Sequence, residues 1–443
     1  MKKTLFSMLL TLLFVSCSSE DAFLMKETEP QPSTDSYKVS VEDAVRRARQ
    51  AVSECGSVAT RSGANARVDV IRSGALTRSE AGTPDTLLYV VNFEGNAGFA
   101  VIGADTRALP LYAVSDSGEL NITENSPEAL KLVMEGIEED AAMRTSYGVP
   151  IGPWTGDPIT PPVLPGTSPR FPNNLIGHET SYTVYPHLSK FQNNVSYYGE
   201  YSKYIFMPDG TPTYSGCAAV ALEQLMSFYK WPKEIDGYQI DWDRIDREQD
   251  VDAVARILYL IGQKKYLNME YSLDTITHGP HVGSASPLRI LSTLEALGYS
   301  HKRYKDLYPD QEYVRECLRE APLLFNARAV VPKQKETGHA WIIDGWKCYK
   351  WITPSFVDED GDGLFDPPKV DIDPKGYLYH CVWGDIDGDC NGYYYLKVMY
   401  DRGGFYETPD EYAGVDPRVA NYPDSHNHNT NIKFVKELMI VTQ

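Results

Sequence analysis

Between Val41 and Val52 apolar residues recur at the three-and-four spacing of one helix face, which predicts a short amphipathic helix. The run from Thr86 to Phe93 (TLLYVVNF) is β-branched and aromatic, Glu94 to Gly98 supplies turn residues, and Phe99 to Ile102 resumes the run, so a hairpin is predicted here. A third strand is expected near Leu111 to Val114. Ser126 then stands where an N-cap belongs, with Pro127 at the first helical position and Glu128 in the first turn, ahead of Leu130, Val133, Met134 and Ile137 at helical spacing. That helix closes a small α+β unit near Arg144. From Gly148 to Pro169 the chain is dense in Gly and Pro and almost without periodicity, the composition of an extended, protease-accessible connector. The remainder, residues 175–443, reads as one large unit of aromatic strands with few helices, and no internal repeat is present.

The start of the chain has a different pattern. Two lysines, an apolar stretch from Leu5 to Val15, then Ser16 and Cys17 form the n-region and h-region of a secretory signal. The stretch is short against the roughly 20 residues needed to span a bilayer. A small residue followed by Cys resembles a bacterial lipobox, so Cys17 is expected to become the lipidated first residue of an exported chain, held to a membrane only through that anchor. A polar tether, residues 18–37, follows.

Composition narrows the class. Over 443 residues, 42% are apolar and 23% charged, the balance of a folded protein of two or three domains. Forty-two basic against 61 acidic residues give a net charge of −19, without a basic cluster able to neutralise a run of phosphates, so a nucleic-acid partner is not expected. Thirty Tyr, 33 Gly and 29 Pro suggest a strand- and turn-rich fold in which helices are the minority. The cysteines after Cys17 are scattered and form no CxxC, so a disulfide scaffold is not supported; Cys381 with Cys390, or Cys348 with Cys381, are the pairings left open.

Candidate chemistry concentrates in two blocks. In Tyr214-Ser215-Gly216-Cys217 turn residues lead into Ala219, Leu222, Leu225, Met226 and Tyr229 at helical spacing, which places Cys217 in the first turn of a buried helix. Unpaired N–H groups and the helix dipole favour a thiolate there. The plain alternative is a small Cys packed beside alanines. Gly338-His339-Ala340-Trp341-Ile342-Ile343-Asp344-Gly345 reads as a strand with His339 at its start. An imidazole beside that helix end would take the thiol proton and return it to a leaving amine.

With Gly-Cys-Ala-Ala and Gln224-Leu225-Met226 before Gly-His-Ala and Asp-Gly, the chain resembles the streptopain family of bacterial papain-like cysteine peptidases. The strand pair YVVNF and GFAVIGAD resembles the family's inhibitory prodomain, so the resemblance covers most of residues 38–443. It implies an α+β fold, with a prodomain over 38–147, a connector over 148–174, and a two-subdomain papain-like peptidase over 175–443 whose cleft lies between a helical and a β-rich half. It also implies a zymogen whose prodomain inhibits in cis, endopeptidase action on proteins or peptides with an apolar residue two places before the scissile bond, and no cofactor for the chemistry. Residue by residue, Cys217 and His339 match the catalytic pair, Gln192 with the N–H of Cys217 the oxyanion hole, and Ser284 and Gly338 the backbone contacts to substrate. Trp383 matches the Trp that supports the His. The family's Asn before that Trp is here Val382, which accepts no hydrogen bond, and an acidic stretch replaces the following glycine loop. Asp344 is a poor substitute, five residues along the same strand and so on the opposite face; Asp385 or Asp387 folding back is the alternative. These departures keep a second function open: a catalytically weakened, peptidase-like surface lipoprotein acting as a binding protein.

Outside the family core, Asp358, Asp360, Asp362 and Asp366 fall at positions 1, 3, 5 and 9 of a DxDxDG loop, with Gly363 at the bend and the Leu364 carbonyl available. That oxygen-rich spacing predicts a structural Ca²⁺ site, although Lys369 at position 12 excludes a true EF-hand. The alternative is a solvated acidic loop.

Overall fold

The computed structural model describes residues 38–55, 65–72, 86–123, 126, 128–147, 187–271, 285–306, 311–330, 337–350, 353–355, 369–371, 375–384, 390–396, 405–406 and 433–442. Cys17, Ser284, the Asp358–Asp366 loop, Asp385, Asp387 and the whole Gly/Pro-rich connector lie outside them.

The N-terminal unit follows its pattern closely. Helix α1 (Val41–Cys55) starts where the Ser40 hydroxyl accepts the Asp43 N–H at 3.1 Å, and it buries Ala44, Ala48, Ala51 and Val52 on one stripe. Strands β1 (Ala66–Arg72), β2 (Thr86–Phe93), β3 (Phe99–Gly103) and β4 (Ala113–Ser115) form an antiparallel meander, crossed by α2 (Glu128–Tyr147). Gly98 ends the β2–β3 turn with φ +103°, and a Cβ there would meet the Ser115 carbonyl oxygen at 2.3 Å. The sequence pattern missed β1: it is the sheet's outer strand, mostly solvated, and carries no continuous apolar run.

The C-terminal unit begins with short α3 (Lys190–Asn193), a 3-10 turn over Gly199–Ser202 and α4 (Cys217–Tyr229). The small hairpin β5 (Glu234–Ile235) and β6 (Tyr238–Gln239) precedes α5 (Trp242–Glu248), α6 (Val251–Gly262) and α7 (Pro287–Ala296). Then come β7 (Ser300–Asp306), α8 (Gln311–Glu320), β8 (Leu323–Val330), β9 (Thr337–Lys350), the pair β10 (Thr353–Ser355) and β11 (Lys369–Asp371), β12 (Lys375–Val382), β13 (Gly392–Tyr394), β14 (Phe405–Tyr406) and β15 (Lys433–Thr442). Helices and strands contribute in comparable measure among the described residues, which corrects the expectation of a helix-poor chain. The high Tyr content does not exclude the alanine- and leucine-rich helices α4 and α6.

Two cores flank one sheet. Because side chains alternate along a strand, β9 sends Ala340 and Ile342 one way and Trp341 and Ile343 the other. The first pair packs with Leu324 and Val382 against Leu222, Leu225, Ile257, Leu258 and Ile290 of the helical half. The second pair joins Tyr379, Cys381, Trp383 and Tyr394 in a core that continues into Phe99, Tyr112, Leu130 and Ile137 of the N-terminal unit. The sheet is continuous as well: β4 pairs with β13 through Val114–Tyr393 and Ala113–Tyr394, giving the order β1-β2-β3-β4-β13-β12-β9-β8-β15-β7-β14. Two units that read separately in the sequence therefore share one eleven-stranded sheet.

Buried polar contacts fasten the same junction. Asp140 of α2 pairs with Arg144 at 2.6 Å and accepts hydroxyl protons from Tyr112 at 2.9 Å and Tyr395 at 3.2 Å. The Lys347 ammonium of β9 donates to the Glu54 and Cys55 carbonyls at 3.2 and 3.0 Å, capping the C-terminus of α1.

Candidate active site

Cys217 is the first residue of α4, as its motif predicts. The preceding Gly216 has φ +87°, a turn that L-residues rarely make, and no side chain caps the helix. The free first-turn N–H groups are thus available to the sulfur itself. Its Sγ receives hydrogen bonds from the backbone N–H of Ala218 and, at 3.4 Å, from the N–H of Ala340 on β9. His339 supplies both a side-chain hydrogen bond and its charge. Burial around the sulfur opposes ionisation, but the imidazole and the two N–H groups outweigh it, and the thiol titrates below its ordinary range. The residue as a whole stays partly exposed.

His339 is buried at the start of β9, one residue before the Ala340 that faces the helical half. Its Nε2 lies 3.0 Å from the Trp383 carbonyl oxygen. A carbonyl only accepts, so Nε2 carries hydrogen and Nδ1 is the nitrogen left for Cys217. The Tyr197 and Trp341 rings approach the imidazole at centroid distances of 6.0 and 6.5 Å. Trp383 supports His339 through its carbonyl, while its indole packs on Trp341 and Tyr394 at 5.3 Å each and donates to the Cys390 carbonyl at 3.0 Å.

The Val382 question resolves in the same place. Val382 is fully buried in the helical-half core and the acceptor for His339 comes from the next residue's backbone. Asp344, as its strand position implies, turns elsewhere: it is the extra residue of a bulge opposite β12, pairs with His380, and accepts the Leu188 N–H at 3.4 Å.

Gln192 sits on α3 with its backbone carbonyl held by Gln224 Nε2 at 3.0 Å, which ties it to the helix bearing Cys217. Its Oε1 is buried without a hydrogen-bond partner. Gly338 lies beside His339 on β9. Among the described residues no group of three or more His, Cys, Asp or Glu is arranged to hold a metal ion. The six described cysteines are all free thiols, so neither pairing left open by the sequence forms here.

Sequence reading missed Asn391, whose side chain bridges Trp383 and Asn193, and the structural part played by Gln224. The only available signal for Asn391 was an Asn-Gly pair after an acidic run, which reads as a turn. It also missed Glu223, fully buried on α4 with both carboxylate oxygens unpartnered and its carboxyl pushed up to about 8 by burial.

Residues 193–394 match the Peptidase C10 family, and residues 36–141 match the Spi protease inhibitor family. Among solved structures, Prevotella intermedia prointerpain A aligns at a TM-score of 0.45 and 18% identity, over 75% of this chain and 93% of that one. The active wild-type interpain A cysteine protease of the same organism aligns at a TM-score of 0.31 and 18% identity, over 47% of this chain and 86% of that one. No curated protein sequence matches the chain. With a thiol and an imidazole paired at a helix end, this chain carries a Peptidase C10 (streptopain) family domain behind a Spi protease-inhibitor domain and is a cysteine peptidase zymogen.

Proposed function

We propose that the chain is the precursor of an exported endopeptidase, anchored by lipid at Cys17, in which Cys217 is the nucleophile and His339 the proton carrier. The thiolate attacks the scissile carbonyl carbon, and the Gln192 amide and the Cys217 N–H receive the developing oxyanion. Protonated His339 gives its proton to the leaving amine, and the acyl-enzyme forms as the C–N bond breaks. Water then attacks the thioester, His339 takes its proton, and the acid product leaves with Cys217 regenerated. Ser284 and Gly338 contact the substrate backbone, and an apolar side chain is preferred two places before the cleaved bond. The Asp358–Asp366 loop with Leu364 supplies oxygen ligands for a structural Ca²⁺.

The observation that carries the catalytic part is the hydrogen-bonded Cys217–His339 pair at the α4 N-terminus, assembled with the N-terminal unit in place. The test is to incubate the purified precursor alone, with and without Cys217→Ala, and to sequence any new N-terminus. A cut within the connector, residues 148–174, that requires the thiol supports self-processing. A precursor that stays intact, and whose trypsin-trimmed form cleaves no casein, defeats the reading.

A further inference from the structure

His339 is held by a main-chain carbonyl, and a carbonyl is only as well placed as the backbone that carries it. Trp383 lies at the end of β12, beyond its last ladder pair, Val382–Ile342. The strand's own hydrogen bonds therefore do not fix it. The described residue that grips it is Asn391, buried just before β13. Asn391 Oδ1 accepts the Trp383 N–H at 2.9 Å, and Asn391 Nδ2 donates to the Asn193 carbonyl at 2.6 Å. Those partners fix the amide's orientation, since an N–H must meet the oxygen and a C=O the NH₂.

We propose that Asn391 is the positioning residue for His339, replacing from another strand, and through the Trp383 backbone, the side-chain acceptor that Val382 lacks. The proposal rests on the reading of Cys217 and His339 given above. The amide does two things at once. It sets where the Trp383 carbonyl points, and it ties that carbonyl to α3, whose Gln192 is held in turn to α4 by Gln224 at 3.0 Å. The bonds close a ring: Cys217 on α4, Gln192 on α3, Asn391, Trp383, His339, and back to the sulfur. The Oδ1 acceptor sets the Trp383 peptide, and the Nδ2 donor adds the tie to α3.

The neighbours leave the arrangement little slack. Gly384, at φ +68°, brings the segment so close to α4 that a Cβ would meet Val220 Cγ1 at 2.8 Å, and its carbonyl accepts the Tyr197 N–H at 3.4 Å. Cys390, next to Asn391, is pinned by the Trp383 indole at 3.0 Å and the Tyr394 hydroxyl at 2.6 Å, both donating to its carbonyl. Asn391 therefore acts from a fixed platform, and loss of its side chain frees the Trp383 peptide without unpacking the Trp383 ring.

The test compares Asn391→Ala with Asn391→Asp, which keeps an oxygen toward the Trp383 N–H and loses only the donor to Asn193. Asn391→Ala is expected to lower kcat of the matured enzyme about tenfold to hundredfold with KM changed less than about twofold. In the full chain it should also move the pH midpoint of Cys217 alkylation by iodoacetamide upward, toward a free thiol, with thermal stability little changed. Asn391→Asp should keep the wild-type midpoint and stay within about threefold in kcat. An Ala variant with unchanged kcat and midpoint overturns the proposal, as does a folded Asp variant as impaired as Ala. Should the Ala variant not fold, Asn391→Leu takes its place: it fills the same space with neither bond, its midpoint is expected to rise as for Ala, and an unchanged midpoint overturns the proposal. A wild-type Cys217 that alkylates no faster than a model thiol removes the peptidase reading and the proposal together, whereas a reactive wild type beside an unaffected Ala variant removes only Asn391.

Discussion

Cys55 closes helix α1 and Cys217 opens helix α4, and each sulfur has a basic side chain against it, Lys347 in one case and His339 in the other. Burial raises both thiols. At Cys55 burial wins, Lys347 notwithstanding, and the thiol is pushed up to about 11; at Cys217 the surroundings win and the thiol falls below its ordinary range. The helix ends account for much of the contrast. A C-terminus presents carbonyls, and Lys347 divides its hydrogen bonds between two of them and the Cys55 sulfur, which the Asp116 N–H also reaches, whereas an N-terminus presents N–H groups that point at the sulfur. A hydrogen-bonded cation and one backbone donor do not make a reactive cysteine where burial outweighs them, as at Cys55. Cys381, fully buried in the sheet core and without such a cation, is raised well above the usual thiol value.

The sharpest way to break this contrast is His339→Ala. At pH 6.5 iodoacetamide should label Cys217 far faster than Cys55 in the wild type, and the substitution should slow Cys217 labelling by about a hundredfold while leaving Cys55 unchanged. The sign follows from the lowered thiol: the reactive thiolate persists below the pH at which an ordinary cysteine protonates. Equal labelling of the two sulfurs in the wild type would void the comparison.

A second test stays on α4, where Glu223 is buried with no donor to offset its desolvation. Its carboxyl rises from 4.5 to about 8 in the fold, so the native state binds the extra proton. That contribution to stability is complete below the unfolded value, declines as pH climbs through the window from 4.5 to about 8, and is lost above it. Glu223→Gln should remove a decline of a few kcal/mol across that window, read from urea unfolding at several pH values. A wild type whose stability is flat from pH 5 to 8 would contradict this account.

The smallest effect is expected at Lys347. Lys347→Met removes the cap on α1 and should cost about 1 kcal/mol of full-chain stability, with the Cys55 thiol rising further. An unchanged melting temperature would mean the cap contributes nothing.

Much of the molecule was legible in local pattern. The periodicity of residues 41–52 and 86–102, and the turn-to-helix step at Gly216, correspond to α1, the β2–β3 hairpin and the start of α4, because each is decided by residues close together in the chain. Strand β1 escaped since an edge strand needs no apolar face, and the β4–β13 junction escaped because it joins residues nearly 280 apart through main-chain bonds that no side-chain pattern announces. Val382 shows the same limit at the site. Its identity signals a missing acceptor, yet neither the Trp383 carbonyl nor Asn391 leaves a trace that sequence alone could assign to His339.

The sequence by itself determined which atoms were available: a thiol after a turn glycine at a helix start, an imidazole at a strand start, and a glutamine upstream. Tertiary structure decided how they are oriented. Ionisation of a sulfur and the tautomer of an imidazole depend on the direction of donors and acceptors over about three ångströms, and those directions come from elements up to two hundred residues apart that meet only when both faces of the sheet are packed.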